Sequence, residues 1–80
     1  MRGNEFLWEI KFGDRNRSLM ARIFVNCLGD SAAFPVDISE LRELSSKNRA
    51  FTNSFLDWAN MRQSQEYFSN DTVEAWAREG

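Results

Sequence analysis

The chain has 80 residues, with ten basic and twelve acidic side chains and a formal net charge of −2 at pH 7. This length predicts a single small domain over residues 1–80, and the charge balance provides no general positive field that could hold a polyanion. One cysteine and no histidine exclude an intramolecular disulfide and a closed zinc site of the usual Cys/His kind, and we expect no cofactor.

The distribution of apolar residues also predicts the cellular compartment of the protein. The first residues lack the apolar run of a secretory signal, and no stretch approaches the roughly 20 apolar residues that a membrane helix needs. We therefore expect a cytoplasmic protein.

The first predicted element is a β-strand over residues 5–12. Large apolar side chains occupy every second position of this segment: Phe6, Trp8, Ile10 and Phe12. Such alternation is typical of a strand with one buried face. Turn-forming residues follow at 13–17, and residues 18–28 favour a second strand through Ile23, Phe24 and Val25. The two strands predict an antiparallel β-hairpin.

The predicted hairpin is apolar on both faces. A four-residue loop at 14–17 brings the four large side chains of the first strand opposite Leu19, Ala21, Ile23 and Val25, which forms a continuous core face. The second face then carries Leu7, Met20, Phe24 and Leu28, more apolar surface than solvent exposure favours. The last helix, a second copy of the chain or a different protein is expected to cover it.

Residues after Pro35 predict a helix. The run Asp37-Ile38-Ser39-Glu40 fits a capping box, in which the aspartate and glutamate side chains pair with backbone N–H groups of the first turn. Apolar residues then recur at helical spacing: Leu41, Leu44, Phe51, Phe55 and Trp58. We predict one long helix with Asn48 buried and hydrogen-bonded. Because residues 45–48 are weak helix formers, a break there into two helices is the alternative.

A short last helix is predicted from the second capping-box pattern, Asp71-Thr72-Val73-Glu74, to Gly80. A helix of this length is not stable alone, so it must dock on the rest of the domain. The predicted fold class is therefore α+β, an antiparallel β-hairpin followed by a long helix and a short C-terminal helix, in the order ββαα.

The usual catalytic groups are missing from the sequence. Without histidine there is no Ser-His or Cys-His pair, and the four glycines form no phosphate-binding loop. The acidic pairs Glu40/Glu43 and Asp71/Glu74 are interpreted as helix caps and solvated charges. We expect a protein that is not an enzyme.

Several residues that can carry chemistry are assigned to packing. Cys27 is expected to pack as a small apolar residue, and Trp8 and Trp58 fall on predicted core stripes. Trp76 is placed either in the docking contact of the last helix or within reach of a partner.

Basic side chains gather near the tip of the predicted hairpin: Lys11, Arg15, Arg17 and Arg22. A ribbon with arginines at its end can enter a nucleic-acid groove. Such binding usually needs more positive charge than this chain has, so a solvated loop is the favoured interpretation, followed by contact with an acidic protein and then with nucleic acid.

These observations predict a protein-binding module without enzymatic activity. A small acidic inhibitor, adaptor or immunity-type factor, such as phages and mobile elements encode, would act by covering a surface of a larger protein or would form a homodimer. The expected contact residues are Leu7, Met20, Phe24, Leu28 and Trp76. The alternative is a nucleic-acid accessory protein that uses the basic hairpin tip.

Overall fold

The structure, a computed structural model, describes residues 3–13, 16–29, 31–61 and 71–79. These residues form helix α1 at Gly3–Lys11, α2 at Arg17–Leu28, α3 at Ser46–Met61 and α4 at Asp71–Arg78. A 3-10 helix at Ile38–Glu43 precedes α3. The described residues contain no β-strand, so the predicted α+β class, the β-hairpin and the order ββαα are wrong.

The segment predicted as the first strand is α1. Phe6 and Ile10 are fully buried, whereas Trp8 is 61% exposed and Phe12 is 59% exposed. Residues four apart share a face in a strand and in a helix, but residues two apart share a face only in a strand. The alternating residues therefore form two pairs on opposite sides of α1, Phe6 with Ile10 and Trp8 with Phe12. Only one pair is in the core, so the prediction that Trp8 is a core residue is wrong.

The segment predicted as the second strand is α2, the central helix. Its buried residues lie on several sides of the helix: Leu19, Met20, Ala21, Ile23, Phe24, Val25 and Leu28. A helix that is apolar on several sides needs neighbours around it, and α1, α3 and α4 all contact α2. Burial from several directions thus overrides the strand preference of its β-branched residues.

The centre of the core is aromatic. The ring of Phe55 on α3 stacks on Phe6 of α1 at 4.3 Å between ring centres and lies 5.7 Å from Phe24 of α2. Helices α1 and α3 run antiparallel, since Gly3 lies against Trp58 while Gly13 at the other end contacts Asn48. A Cβ atom at Gly3 would come within 3.2 Å of the Trp58 indole, so this approach favours glycine.

The predicted long helix is broken, which contradicts the favoured interpretation. The 3-10 helix ends at Glu43, Leu44 has extended backbone angles, and α3 begins at Ser46. The alternative of two shorter helices therefore describes the chain, with the break at Leu44 and Ser45. The capping box is confirmed, since Asp37 accepts from the Ser39 N–H and Glu40 accepts from the Asp37 N–H.

A pair of buried asparagines explains the break. Asn16 Oδ1 accepts hydrogen bonds from the Ser45 N–H at 3.0 Å and from Asn48 Nδ2 at 2.9 Å. Asn16 Nδ2 donates to the Glu43 carbonyl at 3.0 Å, and Asn48 Nδ2 also donates to the Gly13 carbonyl at 3.3 Å. We call this network the Asn16–Asn48 clamp. It supplies partners for backbone groups that a continuous helix would pair internally.

The last helix is close to its predicted extent and docks on α2. Val73 and Ala77 are buried in this contact. Arg17 at the start of α2 forms a two-pronged ion pair with Glu79, at 2.8 and 2.9 Å, and its guanidinium lies 5.3 Å from the Trp76 ring. Helix α2, the segment predicted to be the second strand, therefore provides the docking surface that the short helix α4 needs.

Candidate protein-binding surfaces

The structure separates the residues that were predicted to bind a partner. Met20, Phe24 and Leu28 are buried in the core on α2. Leu7 and Trp76 are half-buried and pack against that core from α1 and α4. Because the hairpin is absent from the described residues, the exposed apolar face that it was expected to carry is not formed.

The predicted basic side chains have different partners in the described part of the chain. Arg17 is paired with Glu79, and Arg22 is paired with Glu40 at 2.9 Å. Lys11 lies at the end of α1 over two aromatic rings, and Arg15 lies outside the described residues. Two of the four predicted cations therefore have their charge matched by a carboxylate.

An aromatic pair occupies the outer face of α1 instead. The rings of Trp8 and Phe12 meet edge to face with their centres 5.6 Å apart, and Lys11 Nζ lies 5.5 Å from the first ring and 5.8 Å from the second. We call these three residues the α1 aromatic patch. The patch lies opposite the buried pair Phe6 and Ile10, so α1 is apolar on two sides.

This patch is unusual for a surface that only faces water. Single exposed apolar residues are common, but here two large rings are more than half exposed and in mutual contact. Tryptophan is among the residues most enriched at the energetic centres of protein interfaces, and aromatic side chains lose little conformational freedom on binding. The patch thus presents a preassembled apolar anchor with one positive charge beside it.

A cleft between α2, the 3-10 helix and α3 forms a second apolar feature. Its volume is about 170 Å³, and its lining residues are Ile23, Asn26, Cys27, Val36, Ile38, Leu41 and Leu56. None of these side chains is charged. We call this feature the Cys27 cleft.

Polar side chains of α2 hold the outer wall of the Cys27 cleft in place. Arg22 donates to both carboxylate oxygens of Glu40, at 2.9 and 3.2 Å. One helical turn further on, Asn26 Nδ2 donates to the Phe34 carbonyl at 2.8 Å. These two contacts fasten the segment that carries Val36 and the 3-10 helix to α2.

Cys27 lines the cleft and reaches solvent, so the small apolar residue expected from the sequence lies at the surface and not in the core. Partial burial among apolar neighbours raises the pKa of its thiol. The thiol is therefore protonated at neutral pH and is a weak nucleophile. In this state it acts as an apolar part of the cleft wall.

Acid is expected to loosen the capping box beside the cleft. Hydrogen bonds from Ser39 lower the pKa of Asp37, and bonds from the Asp37 N–H and Arg22 lower the pKa of Glu40. A lowered folded-state pKa contributes stability that is present above the ordinary values of 3.8 and 4.5 and is lost as pH falls through the folded-state pKa. Amide NMR during acid titration should show the Ser39 signal shifting before those of α3.

The double variant Asp37→Asn/Glu40→Gln is the control for this titration. Neither side chain can then change its charge, so the acid-dependent shift of Ser39 should disappear. If the variant shows the same shift as the wild-type chain, the capping box is not its cause.

The described residues lack two further features. They contain no group of three or more His, Cys, Asp or Glu side chains placed to hold a metal ion. Within the same ranges, no helix combines the length and the apolar character that crossing a membrane requires.

No family model, curated protein or solved structure matches the chain. The described helices pack around a central α2, and the α1 aromatic patch and the Cys27 cleft are two apolar features of the described surface. Sequence reasoning missed Trp8 and Phe12 as surface residues. Reading residues 5–12 with a helical period would have placed them opposite Phe6 and Ile10.

Proposed function

We propose that this chain is a protein-binding module without enzymatic activity, a small inhibitor, adaptor or immunity-type factor that covers a surface of a larger protein. The observation that carries the proposal is the α1 aromatic patch. Its two rings are 61% and 59% exposed and touch each other on a helix whose opposite side is anchored in the core. Binding a partner would remove this apolar area from water, which is favourable.

The charge distribution supports a protein partner over a nucleic acid. Aromatic side chains can stack on bases, but such sites combine stacking with a positively charged groove along the phosphates. Here the net charge is −2. Arg17 and Arg22 are each paired with a carboxylate, which leaves Lys11 as the cation within the patch.

We also propose that the protein acts in the cytoplasm. The single cysteine supports this location, because secreted domains of this size commonly depend on several disulfides. An origin in a phage or mobile element rests on the small size and acidic charge alone.

The double variant Trp8→Ala/Phe12→Ala tests the proposal. We expect it to remain folded, since both residues point away from the core, and to lose its partner. A tryptophan at the centre of an interface contributes about 2 kcal/mol or more, which corresponds to a roughly 30-fold weaker complex. Tagged wild-type and variant chains would be compared by capture from the source cells, mass spectrometry and then titration with the purified partner.

Met61→Ala is the matched control, because Met61 is 80% exposed at the end of α3 and lies outside the α1 aromatic patch. The control should capture the same proteins as the wild-type chain. If the double variant also captures them with unchanged affinity, the patch does not bind the partner. If light scattering shows a wild-type dimer that becomes a monomer only in the double variant, the partner is a second copy.

A further inference from the structure

The Asn16–Asn48 clamp brings the ends of several elements together. Its hydrogen bonds join the turn after α1, the start of α2, the end of the 3-10 helix and the start of α3. Four exposed basic residues each lie within two positions of a residue that the clamp joins: Lys11, Arg42, Lys47 and Arg49. We call these four residues the clamp-end basic cluster. It shares only Lys11 with the basic residues that the sequence singled out.

The charges of this cluster are not matched by carboxylates of the described chain. The ion pairs of the described residues use two other arginines, both on α2. Lys11 Nζ instead lies over the two rings of the α1 aromatic patch, and Lys47 Nζ lies 5.8 Å from the ring of Phe51. Arg49 donates to the Leu44 carbonyl at 3.4 Å. The positive charges of the cluster therefore remain available to a partner.

Few negative charges lie beside the cluster in the described structure. Glu43 is next to Arg42 in the sequence, and Glu9 precedes Lys11 by two positions. Glu79, at the same end of the molecule, is already paired with an arginine. The described residues at this end thus hold more unpaired cations than unpaired carboxylates. The local field is therefore positive, although the whole chain has a net charge of −2.

The other end of α1 and α3 has the opposite charge. Gly3 meets Trp58 there, and the described charged residues nearest to these two in the sequence are Glu5 and Asp57. A nucleic acid carries a phosphate at every step of its backbone. A strand that follows these two helices would therefore be attracted at one end and repelled at the other. A polypeptide can confine its carboxylates to one end, so the charge separation favours an acidic polypeptide.

The exposure of the cluster favours several anionic groups over a single one. All four cations are exposed, so they do not enclose a pocket. Sites for one phosphate usually converge several donors on its oxygens, as a bidentate arginine does. Exposed charges that are spread over α1, the 3-10 helix and α3 instead suit several carboxylates at the surface of a partner. Such charges mainly raise the association rate and determine which partner is accepted.

The cluster is continuous with the α1 aromatic patch, because Lys11 belongs to both. A partner that covers Trp8 and Phe12 therefore meets the cluster at one edge of the contact. A two-fold contact between copies, centred on the cluster, would place like charges against each other, which is unfavourable. A head-to-tail contact with the acidic end of another copy would build rings or filaments rather than a dimer. These arguments favour a different protein as the partner.

We propose that the clamp-end basic cluster binds an acidic segment of a different protein, whose carboxylates lie beside the apolar group that covers the α1 aromatic patch. This inference rests on the proposed function for the identity of the partner as a protein. It adds the charge of the partner and the side of the patch on which that charge lies.

Labelled probes test the proposal by fluorescence anisotropy with the purified chain. One probe is a peptide with glutamates on both sides of a central leucine, and another is the same peptide with glutamines. The last is an oligothymidylate with as many negative charges as the glutamate peptide. At low salt, the glutamate peptide is expected to bind at least about fivefold more tightly than the glutamine peptide, the combined effect of a few exposed charge pairs. The difference should decrease as salt rises, and the oligothymidylate should bind more weakly than the glutamate peptide.

Single variants locate the effect in the cluster. Arg42→Gln and Lys47→Gln should each reduce the preference for the glutamate peptide by about twofold or more. Both side chains are exposed, so the variants should fold normally. Arg78→Gln is the matched control, because it removes the same charge from α4, where the guanidinium lies against the Phe34 ring. The control should keep the wild-type preference.

Four results would overturn the proposal. Equal binding of the glutamate and glutamine peptides would mean that the cluster does not select acidic segments. An equal loss in Arg42→Gln, Lys47→Gln and Arg78→Gln would assign the effect to net charge. Tighter binding of the oligothymidylate would identify a nucleic acid. Assemblies that grow with concentration in light scattering, and that Lys47→Gln prevents, would identify a second copy. The Trp8→Ala/Phe12→Ala variant should keep the preference for glutamate, so this proposal and the proposed function fail separately.

Discussion

Replacing Phe55 with alanine is expected to lower the free energy of unfolding by about 3–5 kcal/mol, the usual result of removing a fully buried phenylalanine. Phe55 has no solvent exposure, and its ring contacts Phe6, Phe24 and Trp58 with centres 4.3, 5.7 and 6.0 Å away. One ring therefore joins α1, α2 and α3. Domains of this length have a total stability of about 4–12 kcal/mol, so this single change should remove at least about a quarter of it. Urea unfolding followed by circular dichroism measures the change.

Phe12→Ala is the matched control, since it removes the same side chain from a site that is 59% exposed. Its effect should stay within about 0.5 kcal/mol, as for most surface changes. Comparing Phe6→Ala with Phe12→Ala distinguishes a β-strand from a helix at residues 5–12. A strand would bury both rings on one face, so equal destabilisation of the two variants would contradict the helix α1.

Local sequence signals were reliable where neighbouring residues alone determine the structure. The capping box at residues 37–40 forms as predicted, because its hydrogen bonds join residues within three positions of each other. The last helix is also close to its predicted extent, Asp71–Arg78 against residues 71–80. The start of each element could be predicted from its capping-box residues, although the last helix is also held in place by its contact with α2.

The first two elements could not be decided from their own residues. Over eight positions, the alternation of Phe6, Trp8, Ile10 and Phe12 fits one face of a strand or two faces of a helix equally well. The choice depends on how many sides of the segment can be covered. Three helices around α2 bury its apolar residues from several directions, which a hairpin with one solvated face cannot do.

The candidate sites depend on contacts between distant residues. The Cys27 cleft combines three separate segments, and the ion pairs that neutralise Arg17 and Arg22 span 62 and 18 positions. Residue spacing within one element carries no information about such pairs. The sequence predicted an exposed apolar face that included Met20, Phe24 and Leu28, but these residues are in the core while Trp8 and Phe12 are outside.

The position of the helix break depends on a residue that is distant in the sequence. The weak helix formers at 45–48 permit a break, but they do not require one. Asn16, which lies 29 positions before Ser45, forms hydrogen bonds with the backbone at the break, namely with the Ser45 N–H and the Glu43 carbonyl. Asn16→Ala should therefore lower the free energy of unfolding by about 2–3 kcal/mol, because the Ser45 N–H, the Glu43 carbonyl and the Asn48 amide would each lose a partner.

Two comparisons isolate the clamp as the cause. Asn16→Asp keeps the oxygen that accepts from Ser45 and Asn48, but it replaces the donor to the Glu43 carbonyl with a buried carboxylate oxygen. It should therefore destabilise the chain at least as much as Asn16→Ala at neutral pH. Asn53→Ala, at an exposed position of α3, should change the free energy of unfolding by no more than about 0.5 kcal/mol.

Loss of a helix cap cannot explain the expected effect. Asn16 occupies the N-cap position of α2, but its side chain makes no capping hydrogen bond to that helix. The destabilisation should therefore be accompanied by faster hydrogen exchange at the Ser45 amide, and the first turn of α2 should keep its protection. If Asn16→Ala unfolds at the same urea concentration as Asn53→Ala, the clamp does not stabilise the junction between the 3-10 helix and α3.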